Sequence, residues 1–149
     1  MAFLSSFDIC ASGMSAQRLR MDIAAENIAN IDTTRTEAGG PYQRKDILLE
    51  SYGSGSFQEA LRSASQGKGF ASRNAGVRVA RIIADTREMK RVYNPEHPDA
   101  DEEGYVTMPN VDLLKETVDS MSATRSYDAN VTALNAMKMM AQKALEIGK

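Results

Sequence analysis

The chain carries one cysteine, Cys10, one histidine, His97, and no tryptophan. A lone cysteine excludes an intrachain disulfide and a cysteine-based zinc site. Cys10 lies in a helical pattern and reads as a small packed side chain. His97 sits in the proline-rich run Asn94-Pro95-Glu96-His97-Pro98. No pattern points Cys10 or any serine at it, so a nucleophile with an oriented base is not expected. Acid pairs such as Asp99 and Asp101 have no pocket-forming elements around them, so acid–base chemistry lacks a setting. The chain reads as no enzyme, with no cofactor and no small-molecule substrate.

Other absences narrow the class further. No apolar run is long enough to span a bilayer. The start lacks a basic segment, and Ser5, Ser6 and Asp8 break its early apolar residues, so no cleavable secretory signal is expected. The formal net charge is −2, too small to draw in nucleic acid or a membrane surface by bulk electrostatics. Gly67-Lys68-Gly69 suggests a phosphate loop, but the Walker spacing and its Lys-Ser/Thr are missing. Asp99, Asp101, Glu103 and Gly104 imitate the first, third, fifth and sixth positions of a calcium loop. Its twelfth position would be Asn110, where a bidentate glutamate is needed, and no helix precedes it. An acidic turn leading into a strand explains the same residues.

What the chain does have is two long helical patterns, one near each end. Pro109–Lys149 reads as one helix without a breaker. Asn110 is its expected N-cap, Asp112 and Glu116 favour its positive end, and Gly148 is placed to end it after Lys143. Its apolar residues form two faces at helical spacing. Val111, Leu114, Val118, Met121, Ala129, Ala136, Met139 and Ile147 share one. Leu113, Ala123, Tyr127, Val131, Leu134, Ala141 and Leu145 share another, roughly opposite. Ala2–Asn30 is also two-faced. Leu4, Phe7, Ala11, Met14, Met21, Ala25 and Ile28 form a heptad seam interrupted by Arg18, with Ile9, Ala16, Leu19 and Ile23 behind it. Asn27 and Asn30 are polar residues at its end. Asn27 suits a register-setting place in a helix interface, and Asn30 suits a C-cap, with a left-handed turn as one way to make it. A helix apolar on two sides needs neighbours on both. The middle of the chain is too short to supply them, so further copies or related chains are expected.

The middle holds only short strand signals: Tyr42–Tyr52, then Val77–Thr86, Glu88–Tyr93 and Gly104–Thr107. Phe57–Ala64 reads as a helical turn or two, within a Gly/Ser-rich flexible segment over 51–74. Residues 75–93 carry a net +3 and residues 94–112 a net −6. Two complementary subunit surfaces or two solvated ones would both fit this pattern. The expected fold is thus mainly α with a small β part. Helices over 2–30 and 109–149 form an antiparallel coiled-coil pair, and 31–108 forms a loop-and-strand middle.

Three stretches resemble a known family. Asn94-Pro-Glu-His-Pro-Asp-Ala-Asp-Glu-Glu-Gly-Tyr-Val-Thr-Met-Pro-Asn-Val-Asp112 and Ser122-Ala-Thr-Arg-Ser-Tyr-Asp-Ala-Asn-Val131 are similar to signatures of the FlgC family of flagellar basal-body rod proteins. Ala25-Glu-Asn-Ile-Ala-Asn30 resembles the N-terminal motif of the wider flagellar axial rod and hook family. The resemblance is weakest over Ser51–Asn74. It implies a structural subunit of the proximal rod, exported through the flagellar type III apparatus without a cleaved signal. It also implies terminal helices packed as an inner tube, torque transmission for motility, and neighbours among FlgB, FlgF, FlgG, the base adaptor FliE and further copies. On this sequence it places Asn27 and Asn30 in the inner helix, Pro109-Asn110 at the start of the C-terminal helix, and Arg125, Tyr127 and Asn130 in the assembly interface. With the apolar faces, the expected interface comprises Leu4, Phe7, Met14, Met21, Asn27, Ile28, Asn30, Pro109, Asn110, Met121, Arg125, Tyr127, Asn130, Val131, Leu134 and Leu145. A cytosolic adaptor binding one partner helix, and a calcium module at Asp99–Asn110, are the alternatives.

Overall fold

The computed structural model describes residues 2–52, 61, 65 and 76–147. The helical turn expected at Phe57–Ala64 and the stop expected at Gly148 fall largely outside these residues. In chain order come α1 (Ala2–Ala29), β1 (Lys45–Tyr52), β2 (Gly76–Ala84), β3 (Lys90–Tyr93), β4 (Tyr105–Met108) and α2 (Leu113–Ile147). The helices are 28 and 35 residues long, two to three times the usual ~11–12. The fold is mainly helical with two small two-stranded sheets, β1 with β2 and β3 with β4. All four expected strands form, with ends within a few residues of expectation.

α2 begins later than the sequence suggests. Asp112, not Asn110, is its N-cap: Asp112 Oδ1 accepts the Leu114 N–H at 3.0 Å, and its carbonyl accepts the Glu116 N–H at 3.0 Å. Asn110 is committed elsewhere. Its Oδ1 accepts the Arg44 N–H at 2.9 Å, and its Nδ2 donates to the carbonyls of Asp85 and Arg87 at 3.1 and 3.3 Å. Three backbone groups far away in sequence outcompete the local cap. At the end of α1, Asn30 Nδ2 donates to the Glu26 carbonyl at 2.8 Å, and its Oδ1 accepts from Thr33. Asn30 therefore caps α1 with its side chain. No described non-glycine residue takes the left-handed backbone conformation.

The chain divides into two compact units, each holding part of both helices. In the unit formed by Met1–Arg18, Leu49–Ala80 and Thr124–Lys149, Cys10 and Ala16 are buried on α1. Gly13 faces Asn130 of α2 so closely that a Cβ there would lie 3.1 Å from the amide's oxygen and nitrogen. Ser12 Oγ accepts the Val77 N–H at 3.1 Å and donates to the Ile9 carbonyl, tying β2 to α1.

In the unit formed by Leu19–Leu48 and Arg81–Ala123, α1 and α2 run antiparallel. Arg20 meets Asp119 and, further along α1, Asn27 meets Glu116, earlier on α2. Ile23, Ala24, Val106, Val111 and Ala123 make the apolar core. The side of α1 turned inward here is the one carrying Ile23 and Asn27. Met21 and Ile28 of the heptad seam stay half-buried and Ala25 is exposed. Asn27 sits one turn after Ile23, so the polar contacts it makes draw that side inward.

β3 and β4 pair antiparallel, Lys90 opposite Met108 and Tyr93 opposite Tyr105. Gly104 takes φ +81° in the turn; a Cβ there would lie 3.0 Å from the Tyr93 ring and 3.2 Å from Pro95. The two tyrosines meet edge to face at 5.3 Å, and Arg91 lies over the Tyr105 ring.

Candidate functional site

Two features stand apart from an ordinary small domain, both in the unit just described. The first is a buried polar clasp. Asn27 and Glu116 are 0 % and 1 % exposed, and Arg44 is 4 % exposed. α1 supplies Asn27, α2 supplies Glu116, and the segment entering β1 supplies Tyr42 and Arg44. Asn27 has all four hydrogen-bonding positions filled. Its Oδ1 accepts from Tyr42 Oη (3.0 Å) and the Lys45 N–H (2.9 Å), and its Nδ2 donates to the Lys45 carbonyl (2.8 Å) and Glu116 Oε2 (2.9 Å). Its amide thus pairs with the Lys45 backbone as a neighbouring strand would.

Arg44 is the other hub. Its Nε donates to Glu116 Oε1 at 2.6 Å and its Nη1 to Asp46 at 3.1 Å. Asp85 and Asp119 each lie 3.6 Å from a guanidinium nitrogen. One cation therefore faces carboxylates from β1, from the end of β2 and from two turns of α2. Buried charge is tolerable when it is paired and hydrogen-bonded in this way.

The clasp's protonation states follow. Burial works to lower the Arg44 pKa, but its hydrogen bonds to Glu116 and Asp46 outweigh this and raise it, so the guanidinium stays charged. Burial, with the charges of Glu26 and Glu116 behind it, pushes Tyr42 up to about 12. That keeps the proton Tyr42 donates to Asn27. Hydrogen bonding from Arg87 holds Asp85 down to about 2 despite its partial desolvation, with Arg44 assisting. Arg44 also borders a cleft of about 220 Å³ that Arg87, Lys90, Asn110 and Lys115 help line. Within the cluster the charged groups are paired with one another, which fastens the three segments together.

The second feature is an uncovered face of α2. Leu114, Val118 and Met121 are 73 %, 57 % and 58 % exposed. They follow one another at helical spacing on one side, while Glu116 and Ala123 on another side are buried. Scattered exposed apolar residues need no explanation, but an aligned row marks an interaction surface. In the other unit, Met139 and Leu145 are likewise exposed, at 60 % and 75 %.

The residues expected at an interface are thus spread over three environments. Asn27 and Pro109 are buried. Phe7, Met14, Met21, Ile28, Asn30 and Asn110 are half-buried, as are Tyr127, Asn130, Val131 and Leu134. Met121, Arg125 and Leu145 are exposed; the Leu4 side chain lies outside the described set. Nothing in the sequence singles out Tyr42, Arg44 or Asp85, and Glu116 reads there only as a helix-end carboxylate. Nothing local marks Arg44 as the partner of a residue 72 positions away.

The acidic turn is occupied by its own fold. Asp101 accepts the Tyr105 N–H at 2.8 Å and pairs with Arg91 at 2.6 Å; the first of these, against slight desolvation, helps hold its carboxyl below the usual range. Asp99 accepts from Thr34 at 2.7 Å. Among the described residues no group of three or more His, Cys, Asp or Glu side chains is placed to hold a metal ion. Part of the basic band is also paired within the chain, Arg78 to Glu50 and Arg87 to Asp85.

Comparison with known proteins gives this arrangement its setting. Residues 7–35 match the family model described as flagella basal body rod protein. Residues 102–147 match that described as flagellar basal body rod FlgEFG protein C-terminal. The whole chain is 50 % identical to all of the flagellar basal-body rod protein FlgC of Bacillus subtilis. It is also 41 % identical to FlgC of Borreliella burgdorferi, with 99 % of this chain and 98 % of that one aligned. FlgC of Escherichia coli O157:H7 is 41 % identical over the full length of both chains. The chain belongs to the FlgC family of flagellar basal-body rod proteins. It is a structural rod subunit of the bacterial flagellar basal body, in a family that assembles with other rod components. The two family-model matches take in Asn27 and Glu116 at either end of the clasp, while Tyr42 and Arg44 lie between them.

Proposed function

We propose that this chain is a subunit of the proximal rod, assembling helically through the uncovered face of α2 and the half-buried flank of α1. Residues 2–30 and 109–149 form its inner, coiled-coil part and 31–108 its outer part. The observation that supports this is the row Leu114, Val118 and Met121, left open on a helix whose other side is fastened by the clasp. Such a face, repeated head to tail by a rotation that does not close, generates a helical tube. Its neighbours are further copies and the rod proteins FlgB, FlgF and FlgG, with FliE at the base. The chain leaves the cell through the flagellar type III apparatus without a cleaved signal. It works mechanically and catalyses nothing: many individually weak helix contacts resist torsion together.

The test is incorporation. In a flagellated host lacking its own copy, the wild-type chain is expected with purified basal bodies and depleted from the cytosol. Val118→Asp/Met121→Asp is expected to be exported but absent from basal bodies, with swimming abolished. Normal swimming by that exported variant would contradict the proposed interface. A wild-type chain retained in the cytosol on one partner helix would favour an adaptor instead.

A further inference from the structure

Beside the clasp the buried apolar side chains of the two helices are Ile23, Ala24 and Ala123, two of the three being alanines. Ala24 and Ala123 are 3 % and 0 % exposed. Short, similar side chains interlock weakly, so packing alone discriminates poorly between one register and another a turn away. The clasp discriminates strongly. A slip of four residues moves α1 by about 6 Å along α2. Asn27 would then leave both Glu116 and the Lys45 backbone, and buried polar groups would lose their partners. Arg44 fixes the other end of the same cluster. Its backbone N–H is held by Asn110, three residues before α2, while its side chain holds Glu116 inside α2. The open row Leu114, Val118 and Met121 occupies the same two turns of α2 as Glu116.

We propose that the Asn27–Arg44–Glu116 clasp fixes the register of α1 against α2, and that the subunit enters the rod only in that register. These are positioning residues, and the second half of the proposal rests on the reading of the α2 row as an assembly surface. The clasp selects one alignment of two otherwise slippery helices, a role in which buried polar groups contribute specificity rather than net stability.

The test uses the full chain with Cys10→Ser and spin labels at cysteines replacing Asp22 and Lys115, both exposed. Arg44→Met/Glu116→Leu removes the ion pair while keeping Asn27 bonded to Tyr42 and Lys45. The unaltered clasp should give one narrow label–label distance. The apolar variant should keep its helix content and melting temperature, yet show a second distance population or a clearly broadened one. Its incorporation into basal bodies should fall at least tenfold. If it does not fold, Glu116→Gln decides, since it keeps the shape and removes the charge: a second population with reduced incorporation is expected. A single unchanged distance in the folded variant overturns the proposal. So does a mixed register with wild-type incorporation. Val118→Asp/Met121→Asp should retain the single distance while failing to assemble. If it assembles normally, the surface reading fails, and the distances still report on the clasp alone.

Discussion

The clasp and the outward row of α2 lie on the same helix turns and reverse the usual rule of burial. At the clasp a carboxylate, a guanidinium and an amide are enclosed, at 1 %, 4 % and 0 % exposure. On the row, leucine, valine and methionine face solvent. The difference separates two jobs. The enclosed polar groups are paired within the chain, so they specify how the chain folds on itself. The open apolar groups are each more than half exposed, so they fit contact with another molecule. Removing a single member of the first set should therefore destabilise the lone chain, while altering the second should leave its stability nearly unchanged.

The sharpest way to break that contrast is Glu116→Ala. It takes the carboxylate from the Nε of a buried guanidinium and from the Asn27 amide, and breaking a buried pair typically costs about 3–5 kcal/mol. Urea unfolding of the isolated chain should show this; a loss under ~1 kcal/mol, the range of exposed pairs, would mean the clasp is open to water. Asn110→Ala comes next. It orphans the part-buried Arg44 N–H and Asp85 carbonyl, and about 1–3 kcal/mol should be lost, the usual cost of leaving such groups unsatisfied. A mere capping residue would cost nearer 1 kcal/mol.

How much of this was legible in the sequence depends on the range of the interaction. The periodicity of Leu114, Val118 and Met121 is local, so the open face could be read, as could α1 and the strands. The start of α2 could not be settled locally, because Asn110 and Asp112 are both cap-forming types and the choice was made by Arg44, Asp85 and Arg87. The heptad seam on α1 was real as a pattern, yet the side bearing Ile23 and Asn27 turned inward, because Lys45 and Glu116 hold Asn27. Arg44 is hidden for the same reason: apart from the nearby Asp46, its partners lie at positions 85, 116 and 119, and only the fold brings them together.

A smaller effect appears only in acid. Asp85 titrates near 2 when folded, against an ordinary 3.8. Its contribution is complete above about pH 4 and is lost as pH falls toward 2. Asp85→Asn should therefore flatten the fall of stability between pH 4 and pH 2 in acid titrations followed by circular dichroism. An unchanged slope would show that the pairing with Arg87 does not hold the Asp85 carboxyl down. The smallest effect belongs to the row. Met121→Ser should change the stability of the isolated chain by no more than ~0.5 kcal/mol, as for surface sites generally, and a larger loss would show that Met121 is packed.

The most direct test of the central claim places one reporter on that row. Met121→Cys, in a chain carrying Cys10→Ser, should react with a maleimide at the rate of an exposed thiol when the protein is free in solution. In purified basal bodies the same thiol should be protected at least tenfold. Equal labelling in both settings would show the row uncovered in the rod, and the account of α2 as an assembly surface would be wrong.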